Sequence, residues 1–204
     1  MDASFAARLP ALIDRLATDG WFVCPDFLDA TTVAALQAEG RQRLEAGEFH
    51  RASVGRATGA SIRDQIRGDS VLWLDPAQAT SPEQVYWQQI ELLRQTINRE
   101  LYLGVADGEY HYAHYPVGTF YKRHLDRFRD DDARVVSCVC YLNQAWQETE
   151  GGQLRMQLDD GREVDIAPQG GNLVCFLSDR FPHEVLPATR ERWSITGWMR
   201  RRTG

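Results

Sequence analysis

The spacing of apolar residues changes character partway along this chain. Up to about residue 104 the apolar positions recur at helical intervals. Phe5, Leu9, Leu12, Ile13 and Leu16 fall on one stripe, which predicts a helix over 4–18 ended by Gly20, with Pro10 marking a kink. Trp21 to Cys24 reads as a short strand, and Asp29 can cap a helix over 31–46. Residues 48–69 hold Gly55, Gly59, Gly68 and many arginines but few apolar anchors, so a long loop is expected there, followed by a strand over 71–74. Ser81-Pro82-Glu83 is a helix start. Val85, Ile90, Leu93, Ile97 and Leu101 then give the buried stripe of a long helix.

Beyond residue 105 the period falls to two. Strands are expected over 109–115, 120–126, 134–142, 153–158, 163–166, 172–177, 183–186 and 193–200, separated by glycine-rich or acidic turns. Strands that follow a helical segment in this way predict a mainly β fold with α: a double-stranded β-helix, that is, a cupin-like jelly roll, buttressed by the N-terminal helices. One domain over 1–204 is expected, with helical support and a substrate-covering loop in 1–105 and the jelly-roll catalytic core in 106–204.

Composition narrows the class of function. The chain is 43% hydrophobic and 25% charged, with a formal net charge of −6, which argues against a nucleic-acid partner. No apolar run approaches the length of a membrane span, and no secretory signal pattern opens the chain. Cys138, Cys140 and Cys175 lie in apolar strand-like runs and Cys24 in the short early strand. These suit free thiols in a reducing cytoplasm rather than a zinc site.

The candidate chemistry gathers around His124-Leu125-Asp126. On an extended strand, positions 124 and 126 share a face, so an imidazole and a carboxylate stand side by side. His183, 57 positions after Asp126, is the candidate third ligand. Two histidines and one carboxylate suit non-heme Fe(II) with open positions for a co-substrate and O2. Arg192 opens the last strand, where its guanidinium can hold a carboxylate through two parallel hydrogen bonds. Spacing alone leaves two plainer readings open: a chance His-x-Asp triplet, and an Arg192 paired with Glu184 or Glu191.

The segment from about Ile66 to Trp198 resembles the 2-oxoglutarate- and Fe(II)-dependent prolyl 4-hydroxylases, and is most similar to the hypoxia-inducible-factor type and its bacterial homologues. The resemblance rests on Ile66-Arg67-Gly68-Asp69, Tyr115-Pro116, Arg123-His124-Leu125-Asp126, Tyr141-Leu142-Asn143, Gly151-Gly152, Pro182-His183-Glu184-Val185 and Arg192 with Ile195-Thr196 and Trp198. It implies His124, Asp126 and His183 as Fe(II) ligands. It implies Arg192 and Tyr141 on the far carboxylate of 2-oxoglutarate, with Tyr115, Thr196 and Trp198 lining the site. Val139, Leu154 and Val185 would be its apolar wall, Arg134 would stand near its mouth, and residues 61–71 would cover the substrate. The implied reaction consumes 2-oxoglutarate and O2, with ascorbate as reductant, and places a hydroxyl on a prolyl residue in an exposed loop of another protein. For the bacterial relatives that target is a translation elongation factor of the Tu type. Hydroxylation of a free amino acid or small metabolite, and a non-catalytic metal-binding jelly roll, are the alternatives. Three features depart from the family pattern: the turn after Tyr115-Pro116 is one residue shorter, Arg127 to Asp132 replace its loop after the metal motif, and His111 and His114 are additional histidines. His111 shares the face of Tyr115 and can look into the pocket, whereas His114 is expected outside.

Overall fold

The computed structural model describes residues 3–52, 65–127 and 133–202. Three helices and eleven strands follow in the order α1 (Ala3–Thr18), β1 (Trp21–Cys24), α2 (Ala30–Glu45), β2 (His50–Arg51), β3 (Ser70–Trp73), α3 (Ser81–Leu101), β4 (Val105–Tyr115), β5 (Tyr121–His124), β6 (Arg134–Tyr141), β7 (Leu154–Gln157), β8 (Glu163–Ile166), β9 (Leu173–Leu177), β10 (His183–Val185) and β11 (Arg192–Arg201).

Each helix begins where its sequence satisfies the free backbone N–H groups. The Asp29 carboxylate accepts from the Thr32 N–H at 2.8 Å. Thr80 and Glu83 form a reciprocal capping box at α3, so the cap lies one residue before the Ser81 that the sequence suggests. α1 continues through Pro10, whose ring sits on the exposed side, rather than breaking there.

The strands form two antiparallel sheets. The larger has the order β1-β9-β6-β11-β4-β3-β2 and the smaller β5-β10-β7-β8. Alternation along the strands sorts the larger sheet into two faces. Tyr110, Tyr112, Cys138, Cys140, Cys175, Trp193, Ile195 and Met199 pack against the stripes of the three helices. Ala113, Tyr115, Val139, Tyr141, Val174 and Phe176 face the smaller sheet, which supplies Leu154, Met156, Ile166 and Val185. The helices therefore back one sheet, as expected, and stiffen the wall from which the site residues project.

α2 approaches this wall closely because Gly40 offers no side chain: a Cβ there would stand 3.0 Å from the Trp193 ring. Gly197, in the middle of β11, is tighter. A Cβ at that position would lie 2.1 Å from the Glu109 carbonyl oxygen and 2.4 Å from the Tyr110 ring. Gly197→Ala is therefore expected to destabilise the fold by about 1–3 kcal/mol through overpacking. A urea unfolding midpoint equal to that of the wild type would contradict this.

Candidate metal centre and active-site cavity

Two strands of the smaller sheet bring the first pair of ligands together. β5 and β10 run antiparallel with His124 directly opposite His183, and their ring centroids stand 4.4 Å apart. In each case the ring Nδ1 lies against the carbonyl two residues earlier: Lys122 at 2.7 Å for His124, and Phe181 at 2.9 Å for His183. A carbonyl only accepts, so both Nδ1 atoms carry hydrogen and both Nε2 lone pairs are free for a metal. Phe176 packs edge-on against His183, and the Tyr121 ring stacks on His124 at 3.7 Å.

Asp126 completes the cluster by a different route from the strand alternation read in the sequence. β5 ends at His124, and Asp126 lies in the bend beyond it. Its carboxylate still comes within 3.5 Å of His124 Nε2 and 3.6 Å of His183 Nε2, and the three ligand atoms all lie within 4.8 Å of one another. The bend is held from outside. The Ser137 hydroxyl donates to Asp126 Oδ2 at 2.6 Å, and an Arg134 N–H donates to the Asp126 carbonyl at 3.3 Å. Ser137 in turn meets Ser178 Oγ at 2.9 Å. Burial raises the Asp126 carboxyl, but the positive charge that the His183 and His124 imidazoles carry when protonated, together with the Ser137 hydroxyl, outweighs it and holds the group well below the usual carboxylate range. Burial also lowers His183, which favours the neutral, metal-ready form.

Sequence reasoning missed Ser137. Its signal was available, because it shares the cavity-side parity of Val139 and Tyr141 on β6, but no pattern joins it to Asp126.

Arg192 lies across the cavity and is 2% exposed. Its Nε donates to the Gly152 carbonyl at 3.0 Å, and its guanidinium stands 5.0 Å from the Tyr141 ring and 5.2 Å from the Tyr115 ring. The acids that might have paired with it are engaged elsewhere: Glu184 with Arg123 and Glu191 with Arg41. Among the described residues, the buried Tyr141 hydroxyl has no hydrogen-bond partner. Burial pushes it up to about 12 despite the nearby Arg192, so it remains a donor. A buried guanidinium and a buried phenol with no acid between them fit one carboxylate, which would satisfy both.

These groups share a cavity of about 330 Å³. Its lining includes all three ligands together with Tyr115, Arg192, Thr196 and Trp198, the apolar wall of Val139, Leu154 and Val185, and Arg134. Tyr141 lies behind Arg192 rather than on the cavity surface. The covering segment 61–71 is described only from residue 65. There it is tied to β5 by backbone bonds from Lys122 to Ile66 and from Gly68 to Phe120. Arg67 and Asp69 form a two-bond ion pair at 2.7 and 2.6 Å with the carboxylate fully buried, so this is not a solvated surface pair. Residues 61–64 of that loop and 128–132 of the acidic loop lie outside the described residues.

The two additional histidines part company. His111 faces the cavity, as its parity suggests. His114 faces the other way yet is 6% exposed, its ring tilted against Trp193 at 4.4 Å beneath α2, because the helices cover the face that the strand pattern marks only as outer.

Comparison with known proteins agrees with this geometry. The family model of the 2OG-Fe(II) oxygenase superfamily matches residues 110–200. The crystal structure of a Pseudomonas putida prolyl-4-hydroxylase superposes with a TM-score of 0.87 at 52% identity, covering 96% of this chain and 100% of that one. A prolyl hydroxylase from Trichoplax adhaerens, solved in complex with a hypoxia inducible factor oxygen degradation domain peptide fragment, gives 0.86 at 27% identity, covering 96% and 90%. Human Egl nine homolog 1 is 33% identical over 198 residues, which is 93% of this chain and 46% of that protein. The chain spans about half the length of the curated relatives it matches.

Two expectations follow from the site. Ser137→Ala removes the hydroxyl that aims Asp126 and should weaken metal binding about tenfold in an anaerobic Co(II) titration; an unchanged affinity would contradict that role. His111, held neutral down to about pH 3 by burial and by Arg67 and Arg134, takes up a proton near pH 6.5 only when the chain unfolds. Its contribution is therefore present above pH 6.5 and lost as the pH falls toward 3, at a cost of about 2 kcal/mol by pH 5. His111→Gln should flatten that acid limb of the unfolding midpoint, and an unaltered limb would refute the assignment. The fold, the metal-ligand cluster and the relatives together assign the chain to the 2-oxoglutarate- and Fe(II)-dependent prolyl 4-hydroxylase family of the 2OG-Fe(II) oxygenase superfamily, whose members use Fe(II), 2-oxoglutarate and O2.

Proposed function

We propose that this protein hydroxylates a prolyl residue of another polypeptide, using Fe(II), 2-oxoglutarate and O2 and releasing succinate and CO2. One observation carries the reading: the His124–Asp126–His183 cluster and the Arg192 guanidinium, backed by Tyr141, face one cavity. Bound Fe(II) supplies the oxygen-activating chemistry. The residues do the rest. His124, Asp126 and His183 hold the metal by one face. Arg192 and Tyr141 fix the far carboxylate of 2-oxoglutarate, Tyr115 bounds the space it fills, and Thr196 and Trp198 continue the cavity wall beyond it. Val139, Leu154 and Val185 exclude water from the reacting end.

A polypeptide acceptor is favoured over a free amino acid by the rim. Trp73 and Leu125 line the cavity yet are 45% and 44% exposed, an apolar border with more reach than a single amino acid needs. The solved Pseudomonas relative supports the prolyl acceptor. A proline loop in an elongation factor of the Tu type is the first candidate target, on the family resemblance, which also suggests ascorbate as reductant. We read residues 1–204 as one catalytic domain, 1–105 giving helical support and the covering segment and 106–204 the jelly-roll core. A cytoplasmic setting is supported by four buried free cysteines and by the lack, among the described residues, of a helix long and apolar enough to cross a membrane.

Mass spectrometry of cellular proteins with and without the gene tests the acceptor: a proline that gains one oxygen only when the gene is present is expected, and no such proline would contradict the reading. In succinate-release assays, Arg192→Met should cut kcat/KM for 2-oxoglutarate by at least about a hundredfold, through two charge-assisted hydrogen bonds of roughly 1.5–3 kcal/mol each, and Tyr141→Phe about fivefold. Equal values for wild type and Arg192→Met would remove Arg192 from the co-substrate site.

A further inference from the structure

His111 stands on the cavity wall with one ring nitrogen committed and the other not. Its Nδ1 lies 2.6 Å from the Thr196 carbonyl, across the β4–β11 register that pairs the two residues. A carbonyl only accepts, so Nδ1 carries the hydrogen and Nε2 is a bare acceptor. Nε2 has no partner among the described residues, and the residue lines the cavity. The ring cannot turn to hide that nitrogen. Its Nδ1 bond holds it, and it packs against both Trp73, at 4.8 Å and 21°, and Trp198, at 5.7 Å and 23°, whose rings are themselves 6.5 Å apart, while the Arg134 guanidinium lies over Trp198 at 3.4 Å.

Its position says what meets it. Tyr115 is paired with Arg192, and His111 lies four residues back along β4, about 13 Å away at 3.3 Å per residue. Arg192 is pinned at the Tyr115 end by Gly152 and by the Tyr115 and Tyr141 rings. A five-carbon dicarboxylate anchored there does not reach His111. At its own end His111 adjoins Trp73, the half-exposed rim residue. The acceptor therefore faces the incoming substrate, not the co-substrate.

We infer that His111 Nε2 accepts a hydrogen bond from the substrate main chain, and that it reads the peptide N–H of the residue following the target proline. The inference rests on the prolyl reading above. Proline has no N–H of its own, so a main-chain donor must come from a neighbour. With its ring held neutral to about pH 3 by burial and the two arginines, His111 stays an acceptor throughout the physiological range. It acts as a specificity-determining residue that positions the substrate.

The test uses synthetic peptides with a single central proline and varied flanks. A peptide that the wild-type enzyme hydroxylates is remade with an ester in place of the amide following proline, which deletes that one N–H. The wild type should show a KM about fivefold higher for the ester with kcat little changed, as expected for one neutral hydrogen bond. His111→Phe keeps the ring stack without the acceptor and should treat ester and amide alike. The inference is overturned if the wild type hydroxylates both equally, or if the ester penalty persists in His111→Phe. The wild-type arm stands whether or not the variant folds. Failure of the wild type to hydroxylate proline in any peptide would overturn the prolyl reading itself, and this inference with it.

Discussion

The structure depends on the pairing of His124 with His183 across two short antiparallel strands. Each imidazole is fixed by its own Nδ1–H bond to the backbone two residues before it, so the two rings offer Nε2 in the same direction without help from distant side chains. The arrangement repeats one local device on two strands. A third group then needs only to enter from the same side, and Asp126 does so from the bend that follows β5. A carboxylate placed beside two imidazoles in a buried site would be costly unless stabilised. The Ser137 hydroxyl provides part of that stabilisation, and a bound cation would complete it.

The opposite wall obeys the same logic with the charges reversed. Among the described residues, Arg192 is nearly inaccessible, donates to the Gly152 carbonyl, and sits beside a phenol whose hydroxyl is buried without a partner. Alone, this wall is an electrostatic liability. With a dicarboxylate between it and the metal, both ends are satisfied at once. The helices matter because they stiffen β4, β6 and β11, and so fix the separation between the guanidinium and the metal cluster. The small residues Gly40 and Gly197 allow that close backing.

Most of this could be read in the sequence. Period-two alternation marked the strands from residue 105 onward, and the family resemblance pointed to Tyr115, Val139 and Tyr141 at the site and to His124, Asp126 and His183, which the fold brings together. What the pattern could not carry was anything set by chain bends or by what covers a face. Asp126 was placed correctly for a reason that does not hold, since the strand stops at His124. His114 was expected outside because alternation marks it as outward, but α2 seals that face. Ser137 went unnoticed because its partner lies on another segment, 11 positions earlier, and a small polar residue in an apolar strand gives no periodic signal of its own. The roles of Arg67 and Asp69 likewise depend on burial, which local sequence does not encode.

The central claim is that three residues hold Fe(II) while a guanidinium across the cavity orients 2-oxoglutarate upon it. The most direct measurement is an anaerobic titration of Fe(II) and 2-oxoglutarate into the protein, followed by the visible metal-to-ligand charge-transfer absorption of the chelate. The account predicts that the band develops with one Fe(II) per chain and is abolished in His183→Ala. A band of undiminished intensity and affinity in that variant, or none in the wild type, would contradict it.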